Sequence, residues 1–309
     1  MSTLPPIRVL SPTAILGYGF PTASFEAGLA LNPDVIAVDA GSSDPGPYYL
    51  GAGVSFTDRA AVKRDLCHML IAGRARGIPV LVGSAGGAGA RPHLDWTVEI
   101  IREIAREEGL TGRLAVIPSD MDKGALTAAL AAGDLVELPP GGPATPADIE
   151  DSTYIVAQIG EEPLIAALQA GADVVVAGRC YDPSVFAAVP ILRGYPRGLA
   201  LHMGKILECA AIASLPGSGS VSRWPILTAI AKVGLPVNVT GYLCVAENMP
   251  SGKAQRPGDV IRAYGGKTVN FIVGTDVGGG TSYSMLRTAA RDRIRIGQTQ
   301  ANATITISM

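Results

Sequence analysis

Cysteine is sparse in this sequence and forms no motif. The four present, Cys67, Cys180, Cys209 and Cys244, are scattered with no CxxC pair, which suits a reduced, cytoplasmic setting. Neither sign of charge is in excess. The net charge of −2 and pI near 6.0 give no argument for nucleic acid or for an anionic membrane surface. No run reaches the roughly 18 uninterrupted apolar residues of a membrane span. No secretory leader is expected, because Pro5 and Pro6 interrupt the start and no basic stretch precedes an apolar run. Aromatic residues make up only 5%. What is plentiful is aliphatic and small. Hydrophobic residues reach 48%, with 38 glycines and 23 prolines. A chain of 309 residues with that composition can bury a sizeable core as one large or two small domains.

The stretch around which the chain is organised is Asp34 to Gly53, DVIAVDAGSSDPGPYYLGAG. Val35 to Val38 are apolar and mostly β-branched, the pattern of a short strand buried on both faces. Asp39 stands where that strand ends, and Asp44 follows in a loop rich in Gly, Ser and Pro. Acids at the carboxyl end of a buried strand stand where open α/β sheets place their chemistry. Asp also builds turns readily, so hydrogen bonds to loop amides are the structural alternative for both.

The same strand-then-polar-turn form recurs. Strands are expected near 7–10, 35–38, 78–82, 114–117 and 173–177, and helices near 58–76, 94–108 and 199–215. Shorter helices are expected near 24–31, 126–132 and 161–170, a loop over 11–21, and a linker over 139–146. The alternation predicts an α/β fold, a mainly parallel sheet with helices on both faces. The strand at 78–82 runs into GSAGGAGARPH, where Gly83, Ser84, Gly86 and Gly87 could cradle a phosphate or carboxylate at a helix N-terminus. The loop matches neither the dinucleotide nor the P-loop pattern, and a purely structural glycine turn is the alternative. Asp120, Arg179 and Asp182 also follow strands, and His202, Lys205 and Glu208 fall at steps of three along one helix.

Residues 7 to about 220 resemble the acyclic terpene utilisation (AtuA) family. The motifs that carry this are LSPTAILGYGFP (10–21), the stretch at 34–53, GIPVLVGSAGG (77–87), GADVVVAGRCYDPSVFAA (171–188) and HMGKILECAAIA (202–213). The resemblance implies a part in breaking down citronellol- and geraniol-like acids, close to acyl-CoA metabolism. Residues 226–268, with AENMPSGKAQRPGDV, resemble the leucine aminopeptidase family. The metal-binding NTDAEGR motif that should follow is replaced by VNFIVGTDVGGG, and the upstream lysine- and aspartate-bearing motifs are missing. That family's two zinc ions therefore have no ligands here. GTDVGGGTSYSMLRTAA (274–290) resembles guanine deaminase of the amidohydrolase superfamily, with Asp276 at the metal-site position but no HxH pair; one carboxylate does not make a zinc site.

Three parts follow: an AtuA-like α/β domain over 1–220, an incomplete aminopeptidase-like segment over 221–268, and an amidohydrolase-like segment with an unassigned tail over 269–309. Neither later part is long enough for a core of its own, so an irregular, loosely packed C-terminal segment is expected, as in a chimeric reading frame. The expected catalytic set is Asp39, Asp44, Asp120, Arg179, Asp182, His202, Lys205 and Glu208. Its carboxylates would act as acid and base or hold a divalent cation, and Arg179 would clamp a carboxylate or phosphate. The resemblance implies a small acyl substrate, taken as a CoA thioester, with a homo-oligomer or a small partner subunit left open. A truncated or chimeric product with no activity of its own, or an inactive relative of leucine aminopeptidase, is the competing reading.

Overall fold

The computed structural model describes residues 4–41, 47–135, 143–209 and the backbone of 306–308. Asp44, and the expectations for residues 210–305, including both later segments and Asp276, lie outside the described residues. Within them the expected α/β architecture is observed. Five short parallel strands, β1 (Val9–Leu10), β2 (Val35–Asp39), β3 (Val80–Gly83), β4 (Leu114–Ile117) and β5 (Val174–Ala177), pair in the order β1-β2-β3-β5-β4. A further strand, β6 (Thr306–Ser308), runs antiparallel along β4.

Successive side chains of each strand feed opposite layers. Val35 and Ala37 of β2 join one core with Leu81, Ala115 and Val175. Ile36 and Val38 join the other with Val80, Val82 and Val176. The second core is covered by α1 (Thr22–Ala30), α3 (Arg59–Arg76) and α4 (Arg91–Glu107). The first is covered by α7 (Glu162–Gln169), α8 (Ser184–Leu192) and α9 (Arg197–Leu207). Short helices α2 (Tyr48–Ala52), α5 (Lys123–Ala132) and α6 (Pro146–Asp151) complete the described elements.

Local chemistry sets the helix ends. The Asp58 carboxylate accepts the Ala61 amide at 2.9 Å and opens α3, and Gly77, at φ 62°, closes it. Asp122 does the same for α5 through the Ala125 amide. The motif at 10–21 is a loop, as expected. It is fastened by Asp65, which is 1% exposed on α3 and accepts the amides of Gly17 at 2.9 Å and Gly19 at 3.0 Å. Both glycines have positive φ, a conformation any side chain would strain.

The strand order fixes where a site can form. The chain leaves β3 into α4, on one layer, and leaves the neighbouring β5 into α8, on the other. Adjacent strands whose connections part to opposite faces leave a crevice at their carboxyl ends.

Candidate functional site

At that crevice the backbones of two loops interlock. The Ser84 amide donates to Gly178 O at 2.9 Å, and the Ala85 amide to Ala177 O at 3.0 Å. The Cys180 amide donates to Ser84 Oγ at 3.3 Å. Ser84 holds φ at 48°, uncommon for a residue with a side chain and typical of strained turns at functional sites. Arg179 is set by its own amide, which donates to Ser119 Oγ at 2.7 Å, while that hydroxyl donates to Gly89 O at 3.0 Å.

Asp39 ends β2 directly beside Gly83 of β3. It is 2% exposed, and its Oδ1 finds no hydrogen-bond partner among the described residues. Burial raises its pKa well above the ordinary value. Asp182 and Glu208 add to the rise, and Arg179 and a hydrogen bond from Ser84 oppose it. An Arg179 guanidinium nitrogen lies 2.9 Å from where a Cβ on Gly41 would sit. Ser84 Cβ and, at 2.5 Å, the Gly87 carbonyl oxygen stand closer still to the same point and leave room only for glycine just beyond Asp39.

A chain of charges continues from there. Arg179 Nη2 donates to Asp182 Oδ1 at 3.1 Å, and Lys205 Nζ to Asp182 Oδ2 at 3.3 Å and Glu208 Oε1 at 2.6 Å. The Cys209 thiol donates to Glu208 Oε2 at 2.9 Å. Burial works against the Lys205 ammonium, but Glu208 and Asp182 outweigh it and its pKa is raised. Burial raises Glu208 against the pull of Lys205. Burial also pushes the Cys180 thiol up to about 12, so it is no thiolate at neutral pH. The helix-surface pair Lys205–Glu208 is thus one link in a longer network.

The structure therefore brings together Asp39, Arg179, Asp182, Lys205 and Glu208. His202 lies one turn before Lys205 on α9, half-buried, and burial lowers its pKa. Asp120 does other work: it is exposed, and its carboxylate accepts the Arg91 amide at 2.8 Å at the start of α4. The helix end on which a phosphate was expected is thereby engaged by a protein carboxylate. The glycine loop is likewise pressed by its neighbours. A Cβ would stand 2.7 Å from Val185 at Gly83, 2.7 Å from His93 at Gly86, and 2.5 Å from Phe56 at Gly87. Close packing accounts for these glycines. Among the described residues no group of three or more His, Cys, Asp or Glu is arranged to hold a metal ion.

Sequence reasoning missed Ser119 and Gly178. Ser119 was within view, since it precedes Asp120 at a strand end. Gly178 gave no signal beyond the abundance of glycine, because what it admits comes from distant loops.

Comparisons with known proteins can now be set beside this geometry. The profile described as "Acyclic terpene utilisation family protein AtuA" matches residues 60–245. That described as "Cytosol aminopeptidase family, catalytic domain" matches residues 214–280. A "Probable cytosol aminopeptidase" of Streptomyces avermitilis is 55% identical over 62 residues, 20% of this chain and 12% of that protein. One of Leifsonia xyli subsp. xyli is 43% identical over 94 residues, 27% of this chain and 19% of the relative. The chain thus spans less than a fifth of the length of these curated relatives. No solved structure matches.

Proposed function

The chain belongs to the acyclic terpene utilisation family, and from that premise we propose that it is an enzyme of acyclic terpenoid or branched acyl catabolism, acting on a carboxylic acid or its CoA thioester. The observation that carries the reading is the buried Asp39 Oδ1 beside the β3/β5 crevice, which has no hydrogen-bond partner among the described residues. A carboxyl group raised towards neutrality can give or take a proton, and the unpaired oxygen is free to meet a substrate atom. Arg179 and Lys205, held by Asp182, supply positive charge for the substrate's carboxylate or thioester oxygen. His202, one turn earlier on α9, is a candidate for proton transfer. No step in this reading runs through a metal ion.

The test is a thermal-shift screen of the full chain against branched acyl-CoAs and the free acids. A ligand at a hundred times its Kd adds about 2.7 kcal/mol. Asp39→Asn is expected to remove that gain while the protein stays folded. A gain that survives Asp39→Asn would take Asp39 out of the site.

A second reading, a fused product with no activity of its own, is favoured by one observation: two unrelated family matches meet within residues 214–245. Absence of stabilisation by every acyl compound would support it. Hydrolysis of leucine p-nitroanilide would instead point to the aminopeptidase segment.

A further inference from the structure

The opposite end of the sheet carries a second cavity. It has a volume of about 670 Å³ and lies between the C-terminal halves of α3 and α4, at the amino ends of β3, β4 and β5. Its floor is aliphatic, including Leu70, Ile101, Leu110 and Val174. Its rim is charged, with Arg59, Arg74, Arg102, Arg106 and Arg113 set against Glu99, Glu103 and Asp173. Two of these acids are already engaged. Glu103 is shared by Arg59 at 2.7 Å and Lys63 at 2.6 Å, and Asp173 accepts the Arg113 amide at 2.6 Å. Arg74 and Arg106, in the last turns of α3 and α4, make no ion pair with a described carboxylate. Arginine near a helix C-terminus complements the dipole, but that does not account for an aliphatic hollow beneath it.

We propose that this cavity binds an amphiphilic anion, a single hydrocarbon chain ending in a carboxylate, with the chain on the aliphatic floor and the carboxylate between Arg74 and Arg106. The volume falls in the range of small-molecule sites. The floor offers contact but no aromatic face for a nucleobase, which selects a hydrocarbon over a nucleotide. A guanidinium group suits a carboxylate in fork geometry, and both arginines line this cavity. The proposal is independent of the reading of the Asp39 crevice, which lies at the other end of the strands.

The experiment uses the full chain and a dansyl-undecanoate probe, whose fluorescence rises on entering an apolar site, with dodecanoate, dodecanol and dodecyltrimethylammonium as competitors. Saturable binding is expected, displaced by dodecanoate and at least tenfold less well by dodecanol or the cationic amphiphile. Arg74→Glu with Arg106→Glu should weaken probe binding at least tenfold with an unchanged circular dichroism spectrum. Ala105→Trp, which fills the hollow from a half-buried lining position, should abolish binding; the two variants test charge and space separately. Absence of saturable binding, equal competition by dodecanol, or full binding by Ala105→Trp would overturn the proposal. So would probe exclusion accompanied by dimerisation, which would make this face an interface between copies.

Discussion

At the scale of single residues, Asp39 carries an electrostatic burden set by its burial. Its carboxyl group ionises near 3.8 in an unfolded chain and well above that in the fold, because burial disfavours the charge. The folded protein therefore holds a proton that the unfolded chain has released. Asp39 thus lowers stability progressively as pH rises from the unfolded value through the folded one. Asp39→Asn removes that charge, so its Tm should exceed that of the natural protein, by more at alkaline than at acid pH. Each kcal/mol recovered should read as roughly 2–4 °C. Calorimetry across pH checks this, and a variant that melts lower at every pH would make Asp39 a structural turn former. A group that costs stability where it stands is the kind that function retains.

At the scale of elements, α8 is the test case. Phe186 is fully buried in the core formed by α7, α8 and α9 against the sheet. Phe186→Ala should cost about 3–5 kcal/mol, seen in urea as a lower midpoint with an unchanged slope. This helix was not legible in the sequence. SVFAAVPIL is buried through most of its length and carries Pro190 inside it, so it shows no polar face from which to read a period. The five parallel strands were legible because β-branched runs between turn residues leave little choice. Helix α3 was legible through its apolar spacing and Gly77, although Asp58 caps it where the sequence suggests Thr57, and α4 through its apolar stripe, although α4 starts three residues earlier than expected, at Arg91. The position of Asp39, Arg179 and Asp182 at strand ends could be read from the same pattern. Their contacts could not, since Gly41, Ser119 and α9 approach from elsewhere in the chain. Nor could the strand order be read, because nothing local tells β5 to lie between β3 and β4.

At the scale of the whole molecule, the sheet is closed from its middle. β3 and β5 lie between neighbours on both sides, and amides there open only when the domain does. Hydrogen exchange should be slowest at Leu81, Val82, Val175 and Val176 and faster at β1; protection greatest at β1 would contradict this order. The same arrangement has a consequence during synthesis. Val80 pairs with Val174, and β4, made between them in time, pairs with β5 rather than with β3. On the ribosome, the first three strands must therefore wait with β3's far edge open while about 90 further residues are translated, roughly five to twenty seconds at usual elongation rates. An aliphatic edge open for that long can pair with another nascent chain. A bound holding chaperone, or slow codons placed after β5 rather than before it, would favour correct assembly.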